Sequence, residues 1–483
     1  MQSKTTSGAS ARGITGYATY VPRYRLSRND IAGAVGAAAR GFRSVASYDE
    51  DTTSMGVEAG RRALTGSGPQ PATVWFATSQ PAYADKVNAT AIHAALGLDP
   101  GIGSYDLGAN VRSGAAALLA AHRDGGLAVL SDIRGGRVGS TDELGGGDAA
   151  AAFTFGDEDL IAELVASASV TEEFLDRWRI PGSVGSTTWE ERFGEGEYLR
   201  IAETAVTDAL KSAGLTEAEV SSFAVVGPNA RAVRSVTAAL SRRTGASAPH
   251  TDLASDLGNA GAAQIGVATA DMLDRSQPDE IILVVSVADG ADAFLWRTTD
   301  LVARPRHEPA VRASVGVGMS VAYPTYLLWR GLVEREAPRR PDPVRPSAPF
   351  AARDARYKFA FAGGKCTECG TVQFPLPRVC LKCRAVDSFD NVSAAGSRAT
   401  VATYTVDRLA FTPSPPLISA VLDLEGGGRV QCELTDVDPT QIEVGDTVEL
   451  TFRRLLTAEG IHNYFWKAAP LVSESPADNS EKG

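Results

Sequence analysis

Between Gly13 and about Gly331, short apolar runs rich in β-branched residues alternate with longer stretches of helical periodicity. Residues 72–77, 127–133, 149–155, 223–227 and 281–287 read as strands, and 52–64, 113–122, 198–213, 232–243 and 262–273 as helices. Strands alternating with helices of this length specify βα units around a largely buried sheet. Both parts of this region carry βα units followed by a Gly-rich strand, the pattern of a weak duplication. The proline-rich stretch 334–348 (EREAPRRPDPVRPSA) breaks the pattern and reads as a stiff extended linker. After it, residues 355–388 are cysteine-bearing and short-stranded. Residues 398–470 alternate apolar and polar positions with period two (ATVATYTV, ISAVLDL, RVQCELT, DTVELTF), as in a small antiparallel barrel. The expected organisation is a flexible leader 1–11, an α/β body 12–335, a linker 336–350, a cysteine ribbon 351–390, a barrel 391–472 and a disordered tail 473–483.

Composition narrows the class. Of 483 residues, 44% are hydrophobic and 22% charged, which excludes a disordered or fibrous chain. The net charge of −11 would repel a phosphate backbone, so no nucleic-acid partner is expected. No apolar run approaches the roughly 20 residues of a membrane span, and MQSKTTSGASARG lacks the apolar core of a secretory signal, so the expected location is cytoplasmic. All five cysteines lie beyond residue 365, so the α/β body has no thiol nucleophile of its own.

Four of those cysteines form two knuckles, Cys366-x2-Cys369 and Cys380-x2-Cys383. Two such pairs can close a tetrahedral thiolate cage suited to Zn, and four protein ligands leave no open position, so the site reads as structural. Rubredoxin-like iron uses the same spacing and stays open, and disulfides are disfavoured without a secretory signal. Cys432 lies on an alternating strand and reads as a small buried hydrophobe. The Gly145–Gly147 run is followed by Asp148 and a strand, with no Lys-Ser/Thr, and reads as a loop and not as a phosphate cradle.

Four segments resemble, in family order, archaeal-type 3-hydroxy-3-methylglutaryl-CoA synthases: GITGYATYVPRYRLSRNDIAGA (13–34), YDEDTTSMGVEAGRRAL (48–64), ATSQPAYADKVNATAIHAALGL (77–98) and VSVADGADAFLW (285–296). The resemblance implies the five-layer thiolase fold, with two βαβαβαββ halves at 12–180 and 181–335, a homodimer, and a coenzyme A thioester as substrate. Residues 350–470 resemble the zinc-ribbon and OB-fold domain that partners such enzymes as a separate subunit; here it is fused.

The family's Glu, Cys and His are carried over by motif, and each is replaced. The frame D-x-x-x-x-C-x-x-G reads Asp106 to Gly114 with Val111 at the cysteine. Valine has no lone pair and cannot form an acyl-enzyme. Val226 stands where a His precedes Gln-Pro-Asn, and Ser79 where the Glu precedes the Pro-Tyr-Ala segment. The Gly258-Asn259 loop is kept; in relatives this Asn helps to polarise the thioester carbonyl, while its simpler role is a turn before the helix that follows. Further candidates are Ser113, a possible nucleophile that is also an ordinary N-cap, and Tyr83 in the acyl-pocket segment. His250 lies ahead of the Gly-Asn loop, His462 in the barrel's last strand region could face the tunnel, and His93 and His122 read as packing residues. Arg356 and Lys358 belong to a basic set around the ribbon that could meet the phosphates of coenzyme A or be solvated surface.

Three functions follow from the resemblance. One is an enzyme acting on an acyl-CoA or acyl-carrier-protein thioester by aldol or retro-aldol chemistry, or by direct acyl transfer, without a cysteine intermediate. Another is a non-catalytic scaffold that partners a separate thiolase-like subunit. The last is a condensing enzyme with relocated residues, acylated on Ser113 or Ser79.

Overall fold

A computed structural model describes residues 11–64, 69–246, 248, 253–304, 309–316, 318–336, 344–345 and 347–471. Nine strands hydrogen-bond in the order Ser222–Val226, Ile281–Val287, Ala291–Thr298, Ala162–Val170, Gly13–Tyr20, Asp148–Gly156, Leu127–Ile133, Thr73–Thr78 and Gly103–Gly108. The last five come from residues 13–156, interleaved with helices Thr52–Ala63, Ala89–Ala95 and Ser113–Asp124, and form a complete βαβαβαββ half. The first four, with helices Glu191–Ala213, Ala230–Thr244 and Gln264–Arg275, follow the same order but for one strand between the last two helices, so the duplication is real. The second half begins with strand Ala162–Val170, ahead of the boundary expected at 180. Between its last two helices, residues 247 and 249–252 lie outside the described residues.

Local chemistry accounts for these elements. Ile281–Val287 (IILVVSV) is buried at every position, as a central strand covered on both faces must be. Asp51 caps Thr52–Ala63 in a reciprocal box with Ser54, and the Asn229 side chain accepts from the amides of Arg231 and Ala232, each at 3.1 Å, to open Ala230–Thr244.

Three cores define five layers. Helices Ser113–Asp124 and Gln264–Arg275 are enclosed between strands of both halves, with Leu118, Ile265, Phe153 and Phe294 in one cluster. The outer helices of the second half cover its other face through Tyr198, Ile201 and Val236. The two central helices touch where Gly114 faces the carbonyl of Ala262; a Cβ on Gly114 would lie 2.1 Å from that oxygen.

The outer face of the first half is shared with the C-terminal region. Met55, Val57, Ile92 and Phe76 form one continuous core with Phe361, Leu422, Phe452 and Trp466. Strands Arg398–Asp407, Leu417–Leu424, Arg429–Leu434, Ile461–Pro470 and Thr447–Ala458 close into a five-stranded barrel in that order. The ribbon strands Val372–Gln373, Ala362–Cys366 and Phe389–Ser393 make a small separate sheet. Two helices precede it, Ala348–Arg353 and Ala355–Ala360. The first starts inside the expected linker, because Pro349 sits in its first turn, where a missing N–H costs nothing. No described helix is long and apolar enough to cross a membrane.

Candidate functional site

A cavity of about 810 Å³ opens between the α/β body and the barrel. Its wall includes the turn that links strand Gly103–Gly108 to helix Ser113–Asp124. Ala109 in that turn has φ +74°, a left-handed conformation that costs a non-glycine residue roughly 1 kcal/mol. Such a kink presents the next residues to the cavity, and Val111 lines it. The strained turn therefore presents a valine, and no sulfur, to the cavity.

Ser79, at the end of strand Thr73–Thr78, is the polar centre of the same wall. Its hydroxyl donates to Asp132 Oδ2 at 2.7 Å and accepts from Arg134 Nη1 at 2.9 Å. Arg179 Nη2 donates to the Ser79 carbonyl at 2.5 Å. Asp132 is fully buried; burial pushes its carboxyl up, while Arg134, Ser79 and the amide of Ala262 (2.8 Å) oppose the shift. Burial also lowers the Arg134 guanidinium; Asp132 resists this, and the like charges of Arg177 and Arg179 add to it. Asp176, Tyr198 and Asp289 also line the cavity. The Asp289 carboxyl is raised, first by burial and then by Asp176. The Asp289 side chain makes no hydrogen bond or ion pair among the described residues.

The barrel completes the wall with Arg454 and His462 from its long hairpin. His462 lies where the sequence placed it, facing the cavity. Its Nδ1 is 2.8 Å from Thr457 Oγ1, and its backbone N–H donates to Tyr83 Oη at 2.7 Å. Burial first, then Arg454, lowers its pKa, with Asp51 opposing.

Other expected site residues fall elsewhere. Val226 is buried in the central core and does not line the cavity. Asn259 lines a neighbouring space of about 300 Å³, but its amide is engaged by the loop: Nδ2 donates to the Gly227 carbonyl at 2.7 Å and Oδ1 accepts from Gly261 at 2.9 Å. Ser113 is the first helical residue and not the N-cap; its hydroxyl donates to the Asn110 carbonyl at 2.6 Å, and the Asn110 side chain does the capping. Tyr83 holds the barrel and is not on the cavity wall. Arg356 and Lys358 lie on helix Ala355–Ala360, packed beside Ala89–Ala95, away from the cavity wall. His250 lies outside the described residues. Cys432 is in the barrel core, its thiol pushed up to about 12 by burial, so no sulfur lines the cavity. Sequence reading missed Arg134, Arg179 and Asp132, although Arg134 directly precedes Gly135 and Arg179 lies two residues before Pro181.

The four ribbon cysteines place their sulfurs within 4.8 Å of one another, with Cys366–Cys383 and Cys369–Cys380 both at 3.6 Å. Tetrahedral thiolates bound at about 2.3 Å stand roughly 3.8 Å apart, so the cluster fits a metal ion.

Comparison with known proteins agrees with this layout. The hydroxymethylglutaryl-CoA synthase of Archaeoglobus fulgidus is 30% identical over 349 residues, covering 66% of this chain and 98% of that protein. The chain belongs to the hydroxymethylglutaryl-CoA synthase family. Its C-terminal part is 32% identical over 124 residues to a DUF35 domain-containing scaffold protein of Methanocaldococcus jannaschii, covering 25% of this chain and 87% of that one. Residues 392–453 match the family model for the ChsH2 C-terminal OB-fold domain. Among solved structures, MvaS in complex with 3-hydroxy-3-methylglutaryl coenzyme A superposes with a TM-score of 0.58 at 18% identity, over 69% of this chain and 94% of that chain. This family member therefore carries the synthase fold and the DUF35-type domain in one polypeptide.

Proposed function

We propose that the chain binds an acyl thioester of coenzyme A or of a carrier protein and makes or breaks a C–C bond beside the thioester carbonyl, without holding the acyl group on sulfur. The observation that carries this reading is the cavity itself: it stays open at Val111, and among its apolar lining it carries Ser79, Arg134, Arg179, Asp176 and Asp289, where an abandoned site would close with aliphatic side chains. In the cleavage direction, a carboxylate takes the proton of a β-hydroxyl. The C–C electron pair passes to the α-carbon and is delocalised as the thioester enolate, the carbonyl product leaves, and the enolate is protonated. Asp289 suits the base, because its raised carboxyl has no competing partner among the described residues. The guanidinium of Arg134 suits the developing negative charge. Direct acyl transfer to a bound nucleophile is the variant that needs no enolate.

The cysteine cluster in this reading holds zinc, with Cys366, Cys369, Cys380 and Cys383 as a closed structural set. The expected assembly is a homodimer. A scaffold that partners a thiolase-like subunit is the second reading, favoured by the relative named a scaffold protein and by the losses at Ser79, Val111 and Val226.

The test is turnover by the purified full-length chain on a panel of β-hydroxyacyl and acyl-CoA thioesters, followed by mass spectrometry of products and protein. C–C products with unmodified protein support the proposal. No turnover, with a thiolase co-purifying at fixed stoichiometry, supports the scaffold. An acyl adduct on Ser79 or Ser113 would refute both.

A further inference from the structure

We propose that Arg134 and Arg179 form a recognition site for a carboxylate carried by the ligand in the cavity. The inference rests on the acyl-thioester reading and narrows it to ligands with an anionic end, or to a thioester used together with a small free carboxylic acid.

The two guanidinium groups converge on one residue. Arg134 Nη1 reaches Ser79 Oγ at 2.9 Å, and Arg179 Nη2 reaches the Ser79 carbonyl at 2.5 Å, while both side chains line the same cavity. Each guanidinium offers five N–H donors, and those two bonds leave most of them unused. Neither group makes an ion pair within 4 Å among the described residues. The other cavity arginines differ. Arg177 is held bidentately by Asp142 at 2.7 Å and 2.7 Å, Arg330 pairs with Asp148, and Arg454 lies 3.9 Å from Asp51. Asp132 does not fill the role, because its oxygens are taken by the Ser79 hydroxyl, the Ser79 amide and the Ala262 amide. Asp132 and Asp142 act on Arg134 only through space, so two like charges that converge on one serine without a contact ion pair are stabilised when a ligand supplies an anion. A planar fork favours a carboxylate, which two guanidinium groups can grip through both oxygens.

Isothermal titration of the intact protein separates the sources. Glutaryl-CoA, pentanoyl-CoA, and pentanoyl-CoA with free glutarate are compared in wild type, Arg179→Gln and Arg134→Gln. Either glutaryl-CoA binds about 10- to 100-fold tighter than pentanoyl-CoA, or free glutarate binds beside pentanoyl-CoA, and each variant removes that gain. Equal binding of the two thioesters with no glutarate binding overturns the proposal, as does a preference that survives in both variants. If Arg134→Gln does not fold, judged by its thermal melt, Arg179→Gln alone decides. If no thioester binds, the acyl-thioester reading fails; glutarate binding that Arg179→Gln abolishes still upholds the anion site, and its absence removes it.

Discussion

Valine and cysteine differ little in size, so a valine at 111 fits this turn while offering no sulfur to hold an acyl group. The left-handed Ala109 and the cap that Asn110 places on helix Ser113–Asp124 do not involve the residue at 111. Val111→Cys therefore puts a thiol just ahead of a helix N-terminus, in a cavity that guanidinium groups also line, surroundings that favour a thiolate. Incubated with acetyl-CoA, wild type stays unmodified and Val111→Cys acquires a single acetyl group at residue 111, read by intact-protein and peptide mass spectrometry. A variant whose new thiol stays unmodified would mean that this turn no longer faces the thioester. Positions 79, 111 and 226 could be singled out from sequence because each sits in a short local motif. Arg134 and Arg179 were not, because they lie 55 and 100 residues from Ser79, and only the folded chain brings them together. Ser113 misled for a related reason: in sequence a serine at a helix start reads as a cap or a nucleophile, and the folded turn gives its proton to the Asn110 carbonyl.

At the level of elements, periodicity located the strands and helices of the body well, because each buries an apolar face long enough to repeat. It failed on short pieces. Helix Ala355–Ala360 has six residues, too few to show a 3.6 period, and the pairs Arg177–Trp178 and Thr187–Thr188 that flank the cavity have two each. The ribbon is the element whose stability rests least on a core. Its Leu376, Val379, Leu381 and Val386 are exposed, and its sheet has only three short strands. In the zinc reading proposed above, metal ligation supplies much of its folding energy. Elemental analysis should find a single zinc per chain. Chelation, or Cys380→Ser, should make residues 362–393 protease-sensitive while the barrel's melting transition stays, since Trp466 and Phe452 share their core with the body. A ribbon that resists protease after complete metal removal would contradict this.

The molecule as a whole is joined across the body–barrel boundary by buried charge as well as by apolar contact. Asp49 of the body accepts from Lys467 Nζ at 2.9 Å and Thr435 Oγ1 at 2.9 Å, both in the C-terminal domain. Burial alone would raise this carboxyl, but Lys467 and then Arg453 outweigh it and hold the pKa down at about 2. Glu50 beside it touches Arg453 and Tyr20, and goes the other way: burial, with Asp436 adding and Arg453 opposing, pushes it up to about 7. The two carboxyls then have opposite pH signatures. Asp49 is depressed on folding, so its contribution, about 2 kcal/mol, is present above pH 4 and lost as pH falls towards 2. Glu50 is raised on folding, so its ionisation costs stability as pH rises from its unfolded value of 4.5 to about 7. Denaturant midpoints followed from pH 3 to 8 should separate them. Asp49→Asn should flatten the acid limb and lower stability at pH 7 by about 3 kcal/mol, because Lys467 loses its buried partner. Glu50→Gln should leave the acid limb in place and remove the decline between pH 5 and 7. If both variants keep the wild-type profile, the charges across this boundary do not couple the barrel to the body, and the apolar contacts of Phe452 and Trp466 alone hold the two together.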